Sequence, residues 1–237
     1  MPVKSLDPRV LPALHRLRSA WLAARKARIH TVRGLLREFG FAIPLGAAEV
    51  VPGVFEVLED ATAPLPEALR TTLADACREI RDLERRSASL ERRLERLAQE
   101  LPGAARLLTI PGVGVLAATA LVAFVGDIHR FPSARPFASF LGLTPRERSS
   151  GLRRRLGAIR KRGNAYLRML LTHGARAVLT RAETIEHPDR LRAWAVRVER
   201  ERGPNKATLA LAHKVARIVW AVLRRTEDSR SSTAPAA

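Results

Sequence analysis

The chain has 237 residues, 46% of them hydrophobic, enough apolar mass for one or two domains with real cores, which excludes a disordered polyelectrolyte. Its 42 lysines and arginines against 23 acids leave a net charge of +19, far beyond what solubility needs, so a polyanion is the expected partner. One cysteine, Cys77, excludes a disulfide framework and a cysteine metal site, and no stretch has the apolar length of a membrane span or a signal-peptide core; a cytoplasmic protein with no membrane partner is expected.

Leucine, alanine and arginine dominate, and aromatics make up only 5%, a mixture that favours helices. From Val10 to Phe39 apolar residues recur at helical spacing, with Pro8 and Pro12 in the opening turn. The other face carries Arg16, Arg18, Arg25, Lys26, Arg28, Arg33 and Arg37, which read either as a phosphate-tracking row or as a solvated face. Gly40 and Pro44 break this helix, Ala47 to Asp60 reads as a short second one, and Pro64 and Pro66 open a third.

In the third helix Leu69, Leu73, Ala76, Ile80, Leu83, Ser87, Leu90, Leu94, Leu97 and Leu101 alternate four and three residues apart, a heptad seam. Two pairings stay open. A parallel homodimer through residues 65–101 would set Glu79 against Glu84, which repels, and Arg86 against Glu91, which attracts; the alternative is an antiparallel hairpin with the first helix. Most carboxylates on this helix alternate with arginines, as solvated i,i+4 partners do.

Pro102 and Gly103 end the seam. Leu107, Leu108 and Ile110 lead into Pro111-Gly112-Val113-Gly114 and an apolar helix from Val115 to Val125. Helix, Gly-x-Gly turn, helix is either a hairpin offering backbone N–H groups of Gly112 and Gly114 to a phosphate or an ordinary interhelical turn. Asp127 reads as a cap. Pro132 starts a helix through Phe137 and Phe140 that stops at Gly142. A basic segment follows with Arg146, Arg148, Ser149, Ser150, Gly151, Arg153, Arg154, Arg155, Arg160, Lys161 and Arg162. Between Arg146 and Arg168 there are nine cations and one acid. Helices are then expected from Asn164 to Arg181, between Pro188 and Gly203, and from Ala207 to Arg225; residues 226–237 read as a disordered tail.

A serine hydroxyl attacks a phosphodiester only if its proton is removed or its charge offset, and the pentavalent transition state needs cations around it. Ser149 and Ser150 stand among arginines that hold phosphates in bidentate fashion, and Gly151 would let the backbone approach one. The residues alone fit a nucleophile or a simple phosphate contact. Tyr166 lacks the arginine and histidine company of a nucleophilic tyrosine. The six histidines lack metal-ligand spacing, and His173, among apolar residues, reads as a core residue.

The run I-P-G-V-G, A-T-A-L-V-A, F-A-S-F-L-G-L-T-P-R, S-S-G, K-R-G-N, Y-L-R and H-G-A-R-A-V-L, within Leu107 to Leu179, resembles the C-terminal domain of the "one-hundred-ten" insertion-sequence transposases. These are DEDD enzymes related to Piv-type invertases, some of them guided by a bridge RNA. The resemblance implies DNA transposition and recombination, with DNA and in some members a guide RNA as partners. It also implies a RuvC-like N-terminal domain with four Mg²⁺-binding acids, and a serine that links covalently to a DNA 5′-phosphate in a site shared between subunits. By motif position that serine is Ser150. Leu152 and Arg160 depart from the residues common at their places. Met1-Pro-Val-Lys-Ser5 resembles the segment that follows the last acidic pair, so an N-terminally truncated member is expected, with no metal or cofactor site of its own and Mg²⁺ implied only for a full-length relative.

The expected architecture is all-α. A basic helix and coiled-coil stalk (residues 1–101) precede a compact helical transposase domain (102–225) with an irregular basic loop, around which a short hairpin is an option. The competing reading is a non-catalytic nucleic-acid binder or a regulator of a full-length transposase.

Overall fold

A computed structural model describes residues 9–147, 149–150, 153, 155–182, 184–185 and 189–225. The fold is all-α apart from one small two-stranded sheet among the described residues. The helices are α1 (Val10–Glu38), α2 (Val50–Glu59), α3 (Glu67–Glu100), α4 (Pro102–Leu107), α5 (Val115–Val125), α6 (Ala134–Phe140), α7 (Ala165–Ala182), α8 (Arg190–Arg202) and α9 (Pro204–Arg225). Strands β1 (Pro145–Glu147) and β2 (Leu156–Ile159) pair antiparallel between α6 and α7. The chain divides into two compact units, Met1–Arg93 and Leu94–Ala237, so the division falls inside α3. The segments expected to be a disordered tail and to follow an acidic pair, 226–237 and 1–5, lie outside the described residues.

In the first unit, Gly40 ends α1 with φ +85, and the amides of Gly40 and Phe41 turn back onto the carbonyls of Arg37 (3.0 Å) and Leu36 (2.9 Å). The core gathers Ile29, Val32 and Leu36 of α1, Val50, Val51 and Val54 of α2, and Leu73, Cys77 and Ile80 of α3. Arg18 pairs with Glu91 (2.6 Å), Arg25 with Glu84, and Arg28 with Glu79 (2.6 Å). Partner numbers fall as the arginine numbers rise, so α1 and α3 run antiparallel in one chain.

Part of the heptad seam is buried within the single chain: Leu73, Ile80, Ser87 and Leu90 are buried, as is Cys77 beside them, and Glu79, Glu84 and Glu91 meet arginines of α1. Those three are therefore cross-helix partners and not the solvated i,i+4 partners expected. Local pairs along α3 are Asp75 with Arg78 (2.7 Å) and Asp82 with Arg85, each three residues apart, and Asp82 with Arg86 (3.9 Å), four apart as expected. The basic face of α1 is likewise partly spent: Arg18, Arg25 and Arg28 face acids, while Arg16, Lys26 and Arg37 remain exposed.

In the second unit α9 packs against α6, α7 and α8. Its buried face is Ala207, Leu211, Ala212, Val215, Ala216, Val219 and Val222, and the small alanines leave room for the neighbouring backbones. Phe137 is fully buried, edge-on to Phe131 at 5.3 Å, and the Trp220 indole donates to the Phe131 carbonyl (3.1 Å). Asn164 caps α7 through the Leu167 amide (3.0 Å), and Asp189 caps α8 through the Arg192 amide (2.8 Å). Asp127 accepts from the His129 amide (2.8 Å), the cap role expected of it. Pro102, read as the end of the seam, also begins α4, where a proline lacks no needed hydrogen bond.

No helix of the described residues is long and apolar enough to cross a membrane.

Candidate nucleic-acid interface

In the basic segment, expected as an irregular loop with a short hairpin as an option, β1 and β2 form that hairpin. Pro145 pairs with Ile159 and Glu147 with Leu156, so β2 carries one extra residue, a bulge that sharpens the local twist. Beyond the strands, Ser150 and Arg153 form a further antiparallel bridge, with the Arg153 amide donating to the Ser150 carbonyl at 3.2 Å. At the base, the Arg160 amide donates to the Thr144 carbonyl (3.0 Å).

Two glycines seat the hairpin on the helices. A side chain on Gly163 (φ +137) would meet the Phe140 carbonyl oxygen at 2.2 Å, and one on Gly142 (φ +69) would meet the Arg162 carbonyl oxygen at 2.8 Å. Only glycine lets these backbones approach so closely. Arg168 of α7 adds a hydrogen bond to the Leu141 carbonyl (3.2 Å).

The two serines differ. The Ser149 hydroxyl donates to Glu147 Oε1 (2.9 Å) and accepts from the Arg155 amide (3.1 Å), so it ties one side of the hairpin to the other. Ser150 is exposed. Around it Arg146, Arg153, Arg155, Arg160, Lys161 and Arg162 are all exposed on the same hairpin and its exit turn. Arg148, Gly151 and Arg154, also expected at the site, and Leu152, lie outside the described residues.

Glu147 is the residue that sequence reading passed over. It is the only acid between Arg146 and Arg168, which was the available signal. Besides holding Ser149, it faces Arg135 at 4.0 Å. With Arg135, Thr144, His213 and Arg217 it lines a cavity of about 440 Å³ beside the hairpin. Burial, and then the neighbouring Arg217 charge, push the His213 imidazole below its usual range, which favours the neutral ring.

The Gly-x-Gly turn stands elsewhere. Ile110 to Val113 form a tight turn closed by the Val113 amide on the Ile110 carbonyl (3.0 Å), with Pro111 in second place and Gly112 in third at φ +84, the type II pattern. Gly112 packs against Gly174 of α7, where a side chain on it would meet the Gly174 carbonyl oxygen at 3.0 Å. Gly114 caps α5 and has open space where a side chain would be. Both line a groove of about 890 Å³ with His173, Arg181 and Arg192, none of which lines the cavity beside the hairpin. His173, expected in the core, is exposed, because its neighbours Leu171 and Ala175 take the buried positions of α7. Tyr166 is half-buried, edge-on to Phe124 at 5.9 Å, a packing role.

Among the described residues no group of three or more His, Cys, Asp or Glu side chains could hold a metal ion.

The fold and site define an all-helical protein that presents an exposed serine on a cationic hairpin. Residues 104–192 match the model of the transposase IS116/IS110/IS902 family. The chain is 40% identical over 226 residues to a probable family 20 transposase of Pseudomonas aeruginosa, covering 95% of this chain and 66% of that protein. It is 35% identical to the transposase for insertion sequence element IS1111A of Coxiella burnetii, covering 96% and 62%, and 34% identical to that for IS1328 of Yersinia enterocolitica, covering 91% and 63%. The chain belongs to the IS116/IS110/IS902 transposase family. It spans less than two thirds of the length of these relatives.

Proposed function

We propose that this chain acts in DNA transposition, with Ser150 as the nucleophile toward a DNA phosphodiester and the hairpin arginines as the groups that hold the strand. The observation that carries the reading is the exposed Ser150 on a hairpin whose described cations all lie at the surface. The Ser150 oxygen attacks phosphorus, the bond to the 3′-oxygen breaks, and the 5′-phosphate stays on the serine. The serine gives up its hydroxyl proton and the departing 3′-oxygen takes one up; one phosphodiester replaces another, so no water is consumed. Guanidinium groups of Arg153 and Arg155 offset the charge that builds on the phosphoryl oxygens. Ser149, Glu147 and the Arg155 amide keep the two sides of the hairpin in register, which orients Ser150 outward.

The test uses the full chain, duplex DNA from the ends of its insertion element, and a full-length family member. A detergent-resistant protein–DNA adduct containing this chain is expected, lost in Ser150→Ala while affinity is little changed. Ser149→Ala should weaken the adduct without abolishing it. An adduct that persists in Ser150→Ala removes that serine from the mechanism. If no adduct forms while duplex affinity depends on Arg153 and Arg155, the chain is a binder alone. Each arginine that contacts a phosphate should contribute about 0.9 to the slope of log affinity against log salt.

A further inference from the structure

The first unit holds a second cationic surface, built on different residues and independent of the serine chemistry. In α1, Lys26, His30, Arg33 and Arg37 are spaced four, three and four residues apart, so they lie on one face about one helical turn apart. The loop after α1 folds back along them. Arg33 ties it down with hydrogen bonds to the carbonyls of Ile43 (3.2 Å), Pro44 (2.5 Å) and Gly46 (2.6 Å). Carbonyl acceptors orient this guanidinium and leave its positive charge in place. Helix and loop enclose a groove of about 600 Å³ that Arg25, Lys26, His30, Arg33, Arg37 and Leu45 help to line.

Among the described residues only Arg25 of this set has an acidic partner, Glu84, and no acid lines the groove. Lys26, His30 and Arg37 are exposed, and they belong to none of the ion pairs formed among the described residues. Beside them Leu45 is 90% exposed, an apolar side chain held at the surface by the pinned loop. A row of cations beside an apolar contact is how single strands are gripped: charge follows the phosphates, and an apolar face meets a base. The groove has the volume of a small-molecule site, which suits a strand segment and not a duplex.

We propose that this groove binds a single strand of nucleic acid by its phosphates, with Leu45 against a base. The groove is built from residues of the first unit, and the hairpin of the proposed cleavage from residues of the second.

The experiment measures fluorescence anisotropy of the full chain with short labelled single strands, one RNA and one DNA of the same sequence, across a salt series. Lys26→Ala/Arg37→Ala should weaken binding and lower the salt slope by about 1.4, that is about 0.7 for each lost phosphate contact on a single strand. Leu45→Ser should weaken binding and leave the slope unchanged. A preference for RNA would assign a 2′-hydroxyl contact, and equal binding a phosphate-only grip; both support the groove. Duplex affinity and the Ser150 adduct should survive these substitutions, whereas Arg153→Ala/Arg155→Ala should do the reverse. An unchanged slope in Lys26→Ala/Arg37→Ala overturns the proposal, as does tighter binding of a polyglutamate peptide than of either strand. All three positions are exposed, and an unchanged circular dichroism spectrum ties the loss to the groove.

Discussion

A β-carbon built on Gly174 of α7 falls 1.8 Å from the carbonyl oxygen of Gly112, in the tight turn before α5. Two residues 62 positions apart therefore meet backbone to backbone, and the H-G-A-R and I-P-G-V-G motifs are two sides of one contact. Neither atom is the far end of a flexible side chain, so nothing there can swing aside.

Gly174→Ala should accordingly destabilise the protein by about 2 kcal/mol or more, because the turn must separate from the helix. Thermal denaturation should show a midpoint lower by roughly 5 °C. Gly114→Ala is the control, since a side chain there meets nothing within 4 Å. Equal midpoints for the two variants would mean that the turn yields freely.

The antiparallel pairing of α1 with α3 is tested by exchanging charges. Arg18 and Glu91 are the least exposed of the cross-helix pairs, with Arg18 at 13% of its side chain exposed and Glu91 at 39%. Arg18→Glu alone should cost about 1–2 kcal/mol, and adding Glu91→Arg should recover about half of it or more. Additive losses in urea denaturation would show that the two side chains do not interact.

His15 gives the protein a pH dependence of known sign. It is 1% exposed in α1, and burial, then the Arg18 charge, lower its pKa from 6.5 to about 4. Between those values the unfolded chain binds a proton that the folded chain does not. The His15 contribution to stability is therefore whole above about pH 6.5 and is lost progressively as pH falls toward 4, by up to about 3 kcal/mol. Comparing urea midpoints of wild type and His15→Leu across this range isolates the imidazole from the carboxylates. Parallel profiles for the two proteins would remove His15 as the cause.

The helices were legible because their signals are local. Gly40, Asn164 and Asp189 stop or start helices through their own dihedrals or side-chain oxygens, within four residues of the backbone groups they satisfy. The candidate site was legible as a cluster of cations about two serines, and only the resemblance singled out Ser150. Arginines around Ser150 were visible in the chain, but two adjacent serines look alike until the strands pair and give Ser149 the Glu147 carboxylate and the Arg155 amide. His173 misled for a related reason: apolar neighbours in sequence do not share its face of α7.

By itself, then, the amino-acid order determined where helices form, where they end, and that the surface is strongly cationic, since each follows from residues a few positions apart. Tertiary structure decided which apolar face meets which. The heptad spacing of α3 does not name its partner; within the chain α1 reaches it through residues 39–66, which include α2, and the cost of closing a loop grows only slowly with its length. Packing likewise pressed the Gly112 turn against α7, because only assembled helices bring its carbonyl to Gly174.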